Sequence, residues 1–287
     1  MLAILKREVK GYFTSMMGYV FGAFLLFITG IYFTAFNLSS AYPYFGYALS
    51  SITFVFLIIV PLLTMRCLSE ERKNKTDQLI LTSPVSVGKM VWGKYLAMVF
   101  VFAVPILIMC AYPLVLHSMG NTSLLMAYTS ILAFFLVGCV FIAIGMFISS
   151  LTESPVLAAV LTFVVLFADY MVSGLASFFS SAALGSFLGI VFMILAVGIV
   201  LYMMTKNVTV AISVTVVLEL IAGAIYKFKP EVYAGSIQKV FNALDITVRM
   251  DDFINGVFNT SNLIYLVSVA LLFVFLTVQS VQKRRWS

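Results

Sequence analysis

Long apolar runs separated by short charged ones leave this chain few ways to fold. A run of about 20 apolar residues crosses the ~30 Å hydrocarbon layer of a bilayer as a helix, at ~1.5 Å rise per residue. A helix also satisfies its own backbone hydrogen bonds there. Stretches such as "FVFLIIVPLL" lack the every-other-residue alternation that a membrane barrel strand requires. Eight runs qualify as spans: Gly18–Phe36, Tyr47–Met65, Trp92–Leu116, Leu125–Ile148, Val156–Val172, Leu184–Thr205, Val208–Tyr226 and Leu263–Val281. Only 10% of the residues are charged, where soluble domains run near a quarter. No polar stretch is long enough for a separate soluble domain, so residues 1–287 read as a single all-α polytopic membrane domain.

The net charge of +6 is distributed by membrane side and is no nucleic-acid footprint. With the N-terminus in the cytoplasm, thirteen basic residues fall inside: Lys6, Arg7, Lys10, Arg66, Arg72, Lys73, Lys75, Lys89, Lys94, Lys206, Lys283, Arg284 and Arg285. Four fall outside: Lys227, Lys229, Lys239 and Arg249. That asymmetry is the positive-inside pattern, and it puts both termini in the cytoplasm. The opening "MLAILKREVKGYF" is no secretory signal, because its charges follow its apolar patch. Leu2, Leu5, Val9 and Phe13 recur at helical spacing, which predicts an interfacial helix over residues 1–16.

Residues 184–226 read either as two spans or as a re-entrant hairpin. The hairpin would sink Lys206 into hydrocarbon, at ~2.5–3.5 kcal/mol or more, which favours two spans. In the extracytoplasmic segment 227–262, Ile237, Val240, Phe241 and Leu244 form one helical face, and Phe253, Ile254 and Val257 another. Short amphipathic helices resting on the outer membrane face, or an ordinary ordered loop, fit that pattern.

Charge concentrates in one internal stretch. Glu70 to Lys94, "EERKNKTDQLILTSPVSVGKMVWGK", holds eight of the chain's charged residues between two spans. Thr76 reads as a helix N-cap with Asp77 in the first turn, and Pro84 stops that helix near Ser83. Ser86 then caps the third span. The loop so read presents Leu79, Ile80 and Leu81 to the cytoplasm. A basic turn held by lipid phosphates is the plainer reading; apolar residues on so short a helix point to docking in a groove of another protein.

Other residues invite chemistry and supply little. Cys67, Cys110 and Cys139 are scattered in or beside apolar runs, with no disulfide or metal spacing. His117 is the sole histidine, and no Ser or Cys stands at a recognisable nucleophile position to form a dyad with it, while Asp251 with Asp252 reads as a solvated acidic face. No catalytic or metal-binding residue is expected. Glu219 and Asp169 lie within spans, where ionisable groups mark either a substrate or cation path or a structural hydrogen bond. Gly18 and Gly22 form a small-xxx-small pair suited to close helix packing. The string "SPVSVGKM" fails as a phosphate-binding loop, with Ser83 in place of the first glycine and Met90 in place of Ser/Thr.

The stretch "MRCLSEERKNKTDQLILTSPVSVGKMVWGKYLA" resembles the link between the second and third helices of ABC-2 type permeases, the membrane subunits of one class of ATP-binding-cassette transporters. The resemblance lies in Met65-Arg66, Glu70-Glu71-Arg72, Thr76, Leu79 to Leu81, Thr82-Ser83-Pro84-Val85-Ser86 and Gly93-Lys94. "LKREVKGYFTSMMGYVFGAFLLFITGIYF" and "FISSLTESPVLAAVLTF" are similar to that family's first helices and its fourth-to-fifth turn. "FLTVQSVQKRRW" resembles the branch linked to gliding motility and copper-enzyme maturation, though the chain lacks metal ligands. Lys75 stands where family members often carry glycine.

The resemblance implies a type V exporter-like six-helix core within eight spans, and a coupling helix in the cytoplasmic region 66–91. Glu70, Glu71, Arg72, Thr76, Leu79, Ile80, Leu81 and Pro84 would form the contact with a separate ATPase subunit. It implies ATP and Mg on that partner and no cofactor here, two ATPase copies, a second permease subunit, and export across a bacterial cytoplasmic membrane. A secondary transporter or channel using Glu219 or Asp169 is the rival reading.

Overall fold

The computed structural model describes residues 1–76, 86–120, 122–178, 185–192, 194–195, 212–213, 215–219, 223, 226 and 235–285. Among these, every regular element is helical: α1 Leu2–Thr14, α2 Met17–Tyr32, α3 Phe45–Ser51, α4 Phe56–Thr64, α5 Ser69–Lys73, α6 Val87–Met109, α7 Tyr112–Met119, α8 Leu124–Leu151, α9 Pro155–Phe178, α10 Ser236–Leu244, α11 Asp251–Ile254 and α12 Thr260–Arg285. Six stretches are long and apolar enough to cross a membrane: Met17–Ser39, Phe45–Lys73, Val87–Met119, Leu124–Leu151, Pro155–Val172 and Thr260–Lys283. They match six of the eight expected spans. The other two, Leu184–Thr205 and Val208–Tyr226, lie for the most part outside the described residues.

The chain forms two compact units, Met1–Ala168 with Arg249–Ser287, and Asp169–Val248. The division between residues 168 and 169 falls inside α9 rather than in a linker.

In the first unit α8 is the central helix. Its apolar window is 78% buried, against 22% for α2 and for α12, so α8 faces protein while those two face outward over much of their surface. Its sequence explains why it can be surrounded. Phe56 of α4, Phe102 of α6 and Phe134 of α8 are fully buried, with Phe56 and Phe134 ring centroids 4.6 Å apart. Room for the Phe102 ring comes from Gly138, where a Cβ would fall 2.3 Å from a ring carbon. Two turns along the same face, a Cβ at Gly145 would fall 2.4 Å from the Thr64 hydroxyl oxygen. The close helix approaches thus run through Gly138 and Gly145. The pair expected at Gly18 and Gly22 does not serve this way: Gly18 abuts the α1–α2 corner, and a Cβ at Gly22 would meet nothing.

The Phe253–Ile254 face also differs from expectation. Both residues of α11 are buried, Phe253 at 0% exposure, and the Phe253 carbonyl accepts from the hydroxyls of Thr129 (3.3 Å) and Ser130 (3.4 Å) on α8. They plug the bundle instead of resting on lipid, while Val257 stays exposed. An apolar face at helical spacing suits core and membrane equally, so periodicity alone could not separate them. Asp252, read as solvated, accepts 2.8 Å hydrogen bonds from the side-chain amides of Asn259 and Asn262.

Gly138→Ala is expected to destabilise the protein by about 1–3 kcal/mol through overpacking against Phe102. Gly22→Ala should leave the melting temperature unlowered. Thermal unfolding in detergent micelles checks both, and an equal response from the two sites would contradict the packing described.

Candidate functional site

The charged stretch begins as a bend that α8 stitches together. After α4 the chain turns through Met65–Leu68 into α5, leaving amides that no helix satisfies. Ser149, fully buried near the end of α8, accepts from the Leu68 and Ser69 amides, each at 3.2 Å, and donates to the Met65 carbonyl at 3.3 Å. That uses the whole capacity of one hydroxyl. The Ser69 hydroxyl donates to the same Met65 carbonyl. Arg72 ties the bend to the turn after α8, pairing with Glu153 at 3.0 Å and donating to the Ser150 carbonyl at 3.4 Å.

The short helix α5 ends in a defined stop. Lys75 takes the left-handed conformation, φ 56°, its amide bonds the Arg72 carbonyl (3.0 Å), and the Thr76 amide bonds the Glu71 carbonyl (2.9 Å). This is the Schellman pattern, in which glycine is the favoured residue at the left-handed position. The departure from glycine noted at Lys75 therefore carries backbone strain of about 1 kcal/mol. The Thr76 hydroxyl donates to the Glu71 carbonyl at 3.2 Å, so Thr76 helps close α5. The helix it was expected to cap begins outside the described residues. Ser86 sits at the N-cap of α6 as expected, without a side-chain capping bond.

Beneath the bend lies a buried cation. Lys94 on α6 is 2% exposed, and its three N–H groups meet three acceptors: Glu71 Oε1 at 2.8 Å, the Cys67 carbonyl at 3.0 Å and Glu8 Oε1 at 3.2 Å. Arg7 completes the cluster, 2.6 Å from Glu8 and 3.5 Å from Glu71. Two cations and two carboxylates balance, as a buried charge requires. The cluster joins three distant pieces of chain: α1, the α4–α5 bend and α6.

α1 is therefore more than an interfacial float. Ile4, Glu8 and Tyr12 lie on one face; Ile4 packs where Gly93 leaves room, and the Tyr12 hydroxyl donates to the Leu63 carbonyl at 3.1 Å. Burial alone would raise the pKa of Glu8, but Lys94 and Arg7 outweigh it and hold the carboxyl below the usual glutamate value. Lys94 and Glu71 belong to the quoted stretch, yet Glu8 lies 86 residues from Lys94, and no local pattern links them. The glycine at position 93 and the lone lysine in an apolar run were the available signals.

The structure brings Glu71, Arg72 and Thr76 into this assembly, while the Glu70 side chain borders the cavity beside it. Leu79, Ile80, Leu81 and Pro84 lie outside the described residues. In the second unit, Asp169 Oδ1 accepts from the Ile246 amide at 3.3 Å, and its buried Oδ2 has no partner among the described residues. Asp245, missed by sequence reasoning, is fully buried and holds the Thr247 amide (2.9 Å) and hydroxyl (2.7 Å) and the Val248 amide (3.0 Å). Glu219 is half-buried within helical residues 215–219, and no described contact joins it to Asp169. Cys67 and Cys139 are buried and free, as packing residues would be. The described residues hold no group of three potential metal ligands.

The described spans and the tied, charged bend after the second of them define a helical membrane bundle. A family model, ABC-2 family transporter protein, matches residues 29–278, and the chain belongs to that family. A search of curated proteins finds no match. The chain is thus a multi-pass membrane permease component of a family that works with an ATP-binding-cassette ATPase.

Lys94→Met leaves Arg7 alone against two part-buried carboxylates and should cost on the order of 3 kcal/mol. Adding Glu8→Gln should recover part of that loss. The lowered pKa of Glu8 means its stabilisation is complete above the usual glutamate range and lost as pH falls through the lower folded value. Hydrogen exchange of the α1 amides follows this directly; protection unchanged by Lys94→Met would contradict the lock.

Proposed function

We propose that this chain is the permease subunit of an ATP-driven exporter, a single transmembrane domain over residues 1–287. Two permease subunits pair in a bacterial cytoplasmic membrane, alike or different, each resting on an ATPase subunit that carries ATP and Mg. Both termini and residues 66–91 face the cytoplasm. Thr76 to Pro84 is the coupling segment, with Leu79, Ile80, Leu81 and Pro84 as its docking face and Glu70, Glu71, Arg72, Lys73 and Lys75 at its rim.

The observation that carries this reading is the anchoring on both sides of the segment. On one side Thr76 ends a bend held by Ser149, Glu153 and Lys94. On the other side Ser86 opens α6, the helix that bears Lys94. A push on the segment is then delivered to α1, α4, α6 and α8 together. ATP binding closes the ATPases and shifts the permease pair between inward- and outward-open forms, by as much as its differential affinity for the two. Asp169 and Glu219 are the proposed polar contacts along the path.

A secondary transporter or channel is the second reading, favoured by the buried Asp169 oxygen that has no partner among the described residues. It requires flux in liposomes without any ATPase, lost in Asp169→Asn or Glu219→Gln. The exporter reading expects no such flux. It also expects that replacing Leu79, Ile80 and Leu81 by Asp abolishes co-purification of the ATPase and its substrate-stimulated turnover. Survival of both activities would overturn the docking assignment.

A further inference from the structure

Two hollows meet at the corner between α1 and α2, where Met16 takes a left-handed φ of 59°. One is polar, about 340 Å³, and opens beside the Lys94 cluster. The other is an apolar groove of about 240 Å³ between α2 and α4. Ser15 and Met17 line both, so the two adjoin.

The polar hollow has two charges left over. Glu8, Glu71 and Lys94 are committed to one another. Arg66 and Glu70 also line it, yet neither side chain has an ion pair or hydrogen bond among the described residues. Arg66 lies in the α4–α5 bend and Glu70 in the first turn of α5, and both line this one hollow. The groove beyond is walled by Val20, Phe24, Ile58 and Leu62, all open to the surroundings at 63%, 36%, 47% and 48% exposure.

An unpaired guanidinium beside an unpaired carboxylate, opening onto an apolar groove, complements a head that carries both charges on an apolar tail. We propose that this corner binds one phosphatidylethanolamine molecule. Its phosphate meets Arg66, whose planar fork suits phosphate oxygens. Its primary ammonium donates to Glu70, and one acyl chain lies along Val20, Phe24, Ile58 and Leu62. A choline head has no N–H to donate, and a glycerol head offers Glu70 only neutral hydroxyls and no cation, so both bind less well. The proposal rests on the membrane assignment; it turns Glu70 toward a lipid head instead of the ATPase rim, and its test needs no ATPase.

The test is native mass spectrometry of the purified full chain, with equal amounts of phosphatidylethanolamine, phosphatidylcholine and phosphatidylglycerol of matched acyl chains. Retention of phosphatidylethanolamine should exceed the others about tenfold, the worth of one charge-assisted hydrogen bond. Glu70→Gln should abolish the preference over phosphatidylglycerol, and Arg66→Ala should weaken both lipids. Val20→Trp should reduce retention of all three by filling the groove. Melting temperatures of the variants serve as the folding control, since Arg66 and Val20 are exposed. Equal retention of the three lipids would overturn the proposal, as would a preference that survives Glu70→Gln. Efficient disulfide cross-linking of Val20→Cys between two copies in native membranes would also overturn it, because a second copy would then cover the groove.

Discussion

A lysine with 2% exposure has to be neutralised where it stands, and that requirement organises the part of the first unit around it. Lys94 draws Glu8 from α1 and Glu71 from the α4–α5 bend, and it uses its last proton on the Cys67 carbonyl. A buried ion pair adds little net stability over an apolar contact of the same shape, but removing one partner is costly. Its consequence here is geometric. Three segments far apart in sequence are fixed to one another by bonds of defined length and direction, which apolar contacts alone would leave free to slide.

The centre of the bundle solves a different problem. In lipid, apolar surface alone gives helices no reason to associate, and close packing has to supply it. Gly138 and Gly145 on α8 let Phe102 and Thr64 approach where any side chain would collide. Ser149, four residues beyond Gly145 on the same helix, then supplies the hydrogen bonds that the bend lacks. α8 therefore both fills the core and holds the charged stretch, which links packing in the first unit to the position of the proposed coupling segment.

Much of this was legible in the sequence, and the rest was hidden for physical reasons. Spans are easy to read because hydrocarbon demands long apolar runs, and six appear where the runs are. A helix in residues 1–16 was legible from periodicity. The partnership of Glu8 with Lys94 was not, since its separation in sequence leaves no local trace. Phe253 and Ile254 were misread because core and bilayer ask the same thing of a side chain. Gly18 with Gly22 has the spacing of a packing motif, yet Gly138 with Gly145 does that work, because a glycine matters only where a neighbour presses on it. Lys75 is the instructive case: its departure from the family pattern was visible at once, but the reason, a left-handed turn, required the backbone.

The account stands on α1, the bend and the base of α6 moving as one body. Spin labels at the exposed positions Lys6 and Lys73, in the permease reconstituted with the proposed ATPase partner, measure that directly by pulsed electron paramagnetic resonance. The distance between them should be the same in the nucleotide-free and ATP-trapped complexes, and should spread only when Lys94 is replaced by methionine. A distance that changes with nucleotide while Lys94 is intact would contradict it.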